Sequence, residues 1–531
     1  MTSVAEIFVG LLLAVAVLAL LARRLHIPYP ILFVGGGLVL GLIPKVPEVR
    51  LDPELVFLFF LPPLLFPAAL FTSWRDFRDN LRPISLLAVG LVLFTTASVA
   101  VLCHYLMGLP LEVGLILGAI ISPPDAIAAT AIANRLSVPR RIVTILEGES
   151  LVNDATALVA YRFATLALAT GTFSLTQASA MFVVVSLGGI GIGLLFGWLA
   201  GQFHKRVDDA PIETTVSLLT PFAAYLSAER LGTSGVLAVV TAGLYLGRRM
   251  PDLLTFRTRL QGGPVWEMVE FLLNGFVFIL IGLQLPEILE ALSGTGMPIV
   301  QLIGYALTIS LAVVLIRIIW VFPASYLPRF FFKSLRQRDP YPRWQHVALL
   351  AWTGMRGVVS LAAAMALPLT LHNGQPFPGR DTIIFITFVV ILVTLVAQGL
   401  SLPYVIRWLG IKDDGSMESE ERTARLKANR AALARLEQMQ NLEAGAAEAL
   451  RRLTAEYQDH ILQLEGEKPN QAGTPLRRFS SEFERLSHEA LMQERHTILQ
   501  LRDQDTINDE VLRRIQRDID LAEARLGHHA S

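Results

Sequence analysis

Apolar stretches about as long as a lipid bilayer is thick recur throughout the first 409 residues of this chain. A helix needs about 20 apolar residues to cross the hydrocarbon core of a bilayer. Charged residues make up only 17% of the chain, against about 25% in a soluble globular protein. The sequence therefore predicts an all-α polytopic membrane protein with 13 transmembrane helices. The thirteen candidate segments are 3–22, 28–43, 53–71, 82–106, 111–134, 141–170, 175–203, 211–229, 233–247, 264–286, 298–328, 345–369 and 380–409.

Basic residues alternate between the loops and so predict the orientation of the chain. They cluster after odd-numbered segments, as at Arg23 and Arg24 or at Lys205 and Arg206, and are sparse after even-numbered ones. Loops rich in Lys and Arg face the cytoplasm, so we expect the N-terminus outside and the C-terminus in the cytoplasm. The first basic pair follows the first apolar run, which favours a retained first helix over a cleaved signal peptide.

The overall charge and the motif content exclude several classes of function. The chain has 45 basic and 45 acidic residues, and this balance indicates no nucleic-acid partner. A single cysteine, Cys103, excludes an internal disulfide. The sequence contains no GxxxxGK[ST] nucleotide-binding motif, so we expect transport without ATP and without a cofactor.

Residues 411–531 differ from the rest of the chain, being rich in Glu, Arg, Ala, Leu and Gln. Two helical stretches, about 416–466 and 476–526, flank a breaker, KPNQAGTP, at 468–475. Apolar residues at helical spacing predict amphipathic faces. We therefore expect a membrane domain at 1–410 and a cytoplasmic helical tail at 411–531. The tail is either a solvated appendage or a regulatory or dimer-strengthening domain, and its sequence indicates no particular ligand.

Three charged residues are expected at the same depth in the membrane. Asp125 lies about fourteen residues into segment 5, Asp154 about thirteen into segment 6 and Arg356 about twelve into segment 12. At 1.5 Å per residue each is roughly 18–21 Å deep, near the middle of the bilayer. Charged residues there are costly and usually line a path for ions or protons. Their convergence predicts an ion site.

Two of these segments carry residues that interrupt helices. ISPPDA in segment 5 places two prolines before Asp125, and WTGMRG in segment 12 places a glycine on each side of Arg356. Segments 5 and 12 are seven apart and so cross in opposite directions. This arrangement predicts two inverted six-helix repeats whose broken helices, 5 and 12, cross at the substrate site of a secondary transporter.

Segment 6 contains the sequence GESLVND, in which the polar residues fall on two faces. Ser150 and Asp154 are four residues apart and share a face, which we expect to lie on the ion path. Glu149 and Asn153 share a neighbouring face. Glu149 is expected to pair with Arg356, in either a structural or a functional role, and Asn153 belongs either to the site or to a helix–helix hydrogen bond.

Other polar residues leave alternatives open. Asp125 either binds the ion or balances the broken helices. Arg317 in segment 11 either extends to the cytoplasmic surface or supports the site. Glu270 and Asn274 share a face of segment 10, as part of either a funnel or a helix contact.

The chain resembles bacterial monovalent cation:proton antiporters of the NhaP/NHE type. The motifs that carry the resemblance are GESLVND at 148–154, FLPPLLF at 60–66 and GMRGVVSLAAAMALP at 354–368. The resemblance implies thirteen helices, an interface domain and a core domain, a homodimer and a location in the bacterial inner membrane. This chain departs from the family at Pro124-Asp125-Ala126, where Thr-Asp-Pro is usual, and at Pro67, where an acid is frequent.

By position, the resemblance implies a role for each residue of the constellation. Asp154 would be the ion- and proton-binding carboxylate, Asn153 the neutral neighbour typical of electroneutral members, and Arg356 the partner of a core acid. The residues that would help form or support the site are Asp125, Ser150 and Glu149.

One carboxylate with two competing ligands defines the expected mechanism. Asp154 holds either a proton or a cation, with Asp125 and Ser150 as further oxygen ligands for Na⁺, Li⁺ or K⁺. With Asn153 neutral, one cytoplasmic cation would exchange for one external proton. The alternatives are a proton-coupled exchanger of another solute on the same fold, an ion channel, and an intramembrane aspartyl enzyme that uses Asp125 and Asp154.

Overall fold

The computed structural model describes residues 2–25, 27–43, 56–136, 138–170, 175–292, 297–370, 375–439, 444–465 and 481–527. Within these ranges every regular element is a helix, apart from one isolated bridge between Thr370 and Pro376. The predicted all-α class is therefore confirmed. The breaker at 468–475 lies outside the described residues.

Helices follow one another along the described part of residues 2–408. They are α1 (Thr2–Leu25), α2 (Tyr29–Gly41), α3 (Leu61–Phe71), α4 (Trp74–Asp79), α5 (Leu81–Ser85), α6 (Val92–Met107), α7 (Leu111–Ile121), α8 (Ile127–Arg135), α9 (Arg140–Thr170), α10 (Leu175–His204), α11 (Ala210–Arg230), α12 (Gly235–Leu253), α13 (Phe256–Leu283), α14 (Leu285–Leu292), α15 (Ile299–Phe331), α16 (Lys333–Arg338), α17 (Trp344–Trp352), α18 (Val358–Met365) and α19 (Arg380–Trp408). Two π-helical stretches, Val56–Phe60 and Leu86–Leu91, precede α3 and α6.

Each predicted apolar segment coincides with one of these helices or with a consecutive pair. Six stretches in the described residues are long and apolar enough to cross a membrane by themselves. The count of thirteen spans and the inverted repeats remain predictions. The six stretches are Glu6–Leu25, Leu81–Met107, Ser179–His204, Phe256–Leu292, Ile299–Phe331 and Arg380–Trp408.

Among the described residues, predicted segment 5 is interrupted between α7 and α8 and predicted segment 12 between α17 and α18. The first interruption contains Pro123 and Pro124, which have no backbone N–H to continue a helix. The two interruptions touch, because the backbone nitrogen of Asp125 donates to the carbonyl oxygen of Met355 at 2.7 Å. Backbone groups that helix breaking leaves free in one stretch are thus satisfied by the other.

Helix α9 passes through the centre of the helical bundle. It packs against α7 on one side and against the π-helical stretch Leu86–Leu91 on another. Ile116, Leu117 and Ile145 are among the buried side chains of the apolar core that these helices share. Burying a side chain of this kind contributes roughly 1.5–3 kcal/mol. The core therefore fixes the position of the polar residues on α9.

The C-terminal residues form four helices, namely α20 (Ser416–Glu437), α21 (Ala444–Glu465), α22 (Ser481–Asp503) and α23 (Asp509–Gly527). Their apolar faces meet in two clusters, one containing Ile498 and Ile515 and the other containing Leu453 and Leu486. The predicted single stretches 416–466 and 476–526 are both divided, because α20 ends at Glu437 before α21 begins at Ala444 and the chain turns between α22 and α23. The Asn508 side chain accepts from the backbone nitrogen of Val511 at 2.8 Å and so caps α23.

Candidate functional site

A cavity of about 500 Å³ lies between α3, α8, α9, α13 and α18. It includes Asp125 and Gly357, where the two helix interruptions meet, and every charged residue that lines it is acidic. The polar groups that line it include Asp125, Thr130, Glu147, Ser150, Asp154, Glu267, Glu270, Asn274 and Ser360. A cleft lined by charges of one sign raises the local concentration of the opposite ion, so this cavity favours a cation.

Helix α9 supplies one polar wall of the cavity. Glu147, Ser150 and Asp154 all line it, at spacings of three and four residues that place them on one face of a helix. Helix α13 repeats the spacing with Glu267, Glu270 and Asn274, which line the same cavity and form its second polar wall. The two helices therefore present matching polar rows across the same space.

Asp154 and Asp125 are two of the acids that line the cavity. The Asp154 side chain is 8% exposed, and no hydrogen bond to its carboxylate occurs among the described residues. The Asp125 carboxylate accepts from the backbone nitrogen of Ile127 at 2.9 Å. The two carboxylates are close enough to repel each other. Two carboxylates that line one buried site attract a cation between them.

Ser150 and Gly357 complete the surroundings of Asp125. The Ser150 hydroxyl accepts from the backbone nitrogen of Ala126 at 3.4 Å. A Cβ atom at Gly357 would overlap the Asp125 carboxylate, so only glycine allows this close approach. The structure thus brings Asp125, Ser150 and Asp154 together on the cavity, as the sequence pattern predicts.

Asn153 lies behind the cavity wall. Its side chain is fully buried, and its Nδ2 donates to the carbonyl oxygen of Pro124 at 2.7 Å. That carbonyl belongs to the interruption between α7 and α8. Asn153 therefore supports the broken backbone next to Asp125 and is not among the groups that line the cavity.

The predicted pair between Glu149 and Arg356 is wrong. Both carboxylate oxygens of Glu149 accept from Arg317, at 2.5 and 2.8 Å, and both side chains are 1% exposed. Arg317 reaches the site because α15 extends to Phe331. The arginine is consequently about 14 residues, or roughly 21 Å, from the end of its helix, too far to extend to the surface. A side chain at Gly354 would occupy the space that Arg317 uses.

Arg356 donates hydrogen bonds to backbone groups of the two helix interruptions and forms no ion pair with Glu149. Its Nε donates to the carbonyl oxygen of Ile121 at 3.0 Å, and a second guanidinium nitrogen donates to the carbonyl oxygen of Gly354. Its backbone nitrogen donates to the hydroxyl of Thr394 at 3.2 Å. The carbonyl groups of Ile121 and Gly354 lie where the helices break and so lack helical donors. Because the guanidinium group of Arg356 binds them, it does not pair with Glu149.

Sequence reasoning missed two of the acids that line the cavity. Glu147 and Glu267 were not singled out, because both lie near the ends of their segments, where charged residues are ordinary. The helical spacing from Glu147 to Asp154, and from Glu267 to Asn274, was the available signal. It requires the helical phase of two separate segments to be considered together.

Comparison with known proteins places this architecture among described transporters. A family described as "Sodium/hydrogen exchanger, transmembrane" matches residues 10–408. An uncharacterized Na⁺/H⁺ exchanger of Mycobacterium tuberculosis is 37% identical over 522 residues, which cover 98% of this chain and 96% of that protein.

Two further similarities extend the comparison. A sodium, potassium, lithium and rubidium/H⁺ antiporter of Bacillus subtilis is 35% identical over 75% of this chain and 61% of its own length. The structure of the sodium proton antiporter MjNhaP1 of Methanocaldococcus jannaschii has a TM-score of 0.61 at 20% identity and covers 77% of this chain and 99% of that one. At this identity the likeness concerns the fold alone.

Proposed function

Because the chain belongs to the sodium/hydrogen exchanger family of cation/proton antiporters, which are transporters and not enzymes, we propose that it exchanges one cytoplasmic alkali cation for one external proton at Asp154. The observation that carries this proposal is the Asp154 carboxylate, which lies buried beside Asp125 in an acidic cavity and accepts no hydrogen bond from the described residues.

Competition between the two substrates follows from the chemistry of this carboxylate. A proton on Asp154 removes the charge that attracts a cation, and a bound cation lowers the affinity for a proton. Oxygen ligands suit a hard alkali ion. Asp125, Ser150 and Asp154 provide them in the cavity. Na⁺, Li⁺, K⁺ and Rb⁺ are the candidate substrates, since the name of the Bacillus subtilis relative includes all four.

Alternating access couples the two fluxes in this proposal. An empty, charged site would have to carry an uncompensated carboxylate through the membrane, which is costly. The site neutralised by either substrate avoids that cost. Because Asn153 beside Asp154 is neutral, one cation moves in one direction and one proton moves in the other. The two movements carry equal charge, so the complete exchange cycle is electroneutral.

We assign the N-terminus to the outside, the C-terminus to the cytoplasm and the protein to the inner membrane of a bacterium as a homodimer. The arrangement of the tail supports this orientation. Helix α23 and the turn before it contact α4 and the beginnings of α9 and α13. All three places belong to loops that are predicted to be cytoplasmic from their basic residues.

Substitution of Asp154 tests the proposal. We expect Asp154→Asn to abolish cation-driven proton movement in proteoliposomes, with Na⁺, Li⁺, K⁺ and Rb⁺ each supplied in turn. Asp381→Asn is the matched control, because Asp381 lies at the beginning of α19, outside the cavity. A folded Asp154→Asn protein that exchanges at the wild-type rate would place the site elsewhere.

A further inference from the structure

The C-terminal helices contact the rim of the acidic cavity through α23. A guanidinium nitrogen of Arg513 donates to the carbonyl oxygen of Phe71, and its guanidinium carbon lies 6.0 Å from the centre of the Phe71 ring. Arg513 also interacts electrostatically with Glu147. Phe71 and Glu147 both line the cavity. A positive charge from the tail is therefore held where a cation would approach the acidic walls.

Further polar contacts hold α23 and the turn before it in this position. The Asp509 carboxylate accepts from the backbone nitrogen of Trp74 at 2.8 Å. Arg75 donates to the carbonyl oxygen of Asp505 at 3.0 Å. The ion pair between Glu510 and Arg140 measures 3.5 Å. Asp509 and Glu510 also interact electrostatically with Arg513, so Arg513 is the basic member of a mixed cluster of charges at this place.

The tail also bridges the two polar walls of the cavity. Arg140 begins α9, which carries Asp154, and it pairs with Glu510. Arg259 belongs to α13, the second polar wall, and pairs with both carboxylate oxygens of Asp520 at 2.6 and 2.9 Å. Asp520 is 1% exposed. A single helix, α23, thus fixes the distance between the two walls at the mouth.

We infer that the tail is an inhibitory latch, in which Arg513 acts as a tethered cation that competes with the transported cation at the mouth of the cavity. This inference rests on the proposed exchange function and adds to it a regulator within the same chain. A fixed positive charge reduces the concentration of cations that the acidic walls attract. Substitution of Arg513 alone would remove that charge, whereas release of α23 would also withdraw Asp509 and Glu510 and free the two walls to move relative to each other.

The experiment compares Arg513→Gln with two controls in everted membrane vesicles, whose outer surface is the proposed cytoplasmic face. Arg513→Lys keeps the charge. Arg514→Gln removes the next arginine, an exposed residue whose ion pairs, with Glu421 and Glu510, lie within the tail. Proton movement is measured while Na⁺, Li⁺ or K⁺ chloride is titrated, and the thermal unfolding midpoint of each purified protein checks its folding.

We expect Arg513→Gln to lower the cation concentration for half-maximal exchange about threefold to tenfold, with no fall in the maximal rate. Arg513→Lys and Arg514→Gln are expected to remain close to wild type. An unchanged half-maximal concentration in Arg513→Gln would overturn the inference and leave the exchange function intact. The same would follow if Arg513→Lys behaved like Arg513→Gln. Absence of exchange in the wild-type protein with every cation would instead refute the proposed function, and the inference with it.

Discussion

The buried ion pair between Glu149 and Arg317 gives the sharpest prediction about stability. Its charges are joined by two hydrogen bonds, at 2.5 and 2.8 Å, and each side chain is 1% exposed. Two charges about 4 Å apart interact by about 4 kcal/mol at an effective dielectric constant near 20. Removing one partner leaves the other charge buried and unpaired, which typically costs about 3–5 kcal/mol.

We therefore expect Glu149→Gln and Arg317→Gln each to destabilise the protein by about 3–5 kcal/mol. The double variant is expected to lose less than the sum of the two single losses, because it leaves neither member of the pair without its partner. The assay is the thermal unfolding midpoint of the purified protein in detergent, measured for the full cycle of four proteins. Glu149→Gln nearly conserves the volume of the side chain, which keeps its cavity term small.

Arg162→Gln supplies a matched control for this cycle. Arg162 pairs with Glu229 at 2.6 Å, but the two side chains are 40% and 30% exposed. An exposed pair contributes about 0–1 kcal/mol, so this variant is expected to unfold close to wild type. Losses at Glu149 and Arg317 that add up in the double variant would refute the reasoning, because independent residues give additive changes.

Two other predictions concern transport and the tail. Exchange is expected to be insensitive to an imposed potassium-diffusion potential, since one positive charge moves each way; a rate that follows the potential would exclude one-for-one exchange. Burial raises the pKa of the Glu494 carboxyl in α22 to about 7. Because the folded-state pKa lies above that of an exposed Glu, about 4.3, the stability linked to Glu494 is complete below about pH 4.3 and is lost as the pH rises through about 7. Amide hydrogen exchange of α22 in the full chain, corrected for the intrinsic rate, is expected to show less protection at pH 8 than at pH 6, and Glu494→Gln is expected to remove this difference. An equal loss of protection in the variant would assign the effect to another group.

Local sequence patterns predicted the helices and their interruptions well. The apolar segments coincide with helices because hydrophobic length is a property of each segment alone. The interruptions around Asp125 and Arg356 were predictable because proline and glycine act on their own backbone. The shared face of Ser150 and Asp154 followed from helical spacing, which needs no tertiary information.

Contacts between distant segments were predicted less well. The partner of Glu149 was misassigned because depth was counted only for segments 5, 6 and 12, and Arg317 in segment 11 was left as a residue that either extends to the surface or supports the site. Arg356 and Arg317 were equally charged candidates, and the carbonyls that hold Arg356 become acceptors only once the helices break. The position of Arg513 against Phe71 joins residues 442 apart, and no local pattern encodes such a contact.

Arg317 has a mechanical consequence beyond its charge. It lies on α15, binds Glu149 on α9 and donates to the carbonyl oxygen of Leu350 on α17 at 3.1 Å. The bond from Asp125 to Met355 adds the other broken helix to the same assembly. These hydrogen bonds and the ion pair connect four separate segments to one another. We therefore expect the four segments to move together with Asp154 as one rigid body. Relative motion between helices is therefore expected at surfaces outside these four segments, such as the boundary between the cavity and α13.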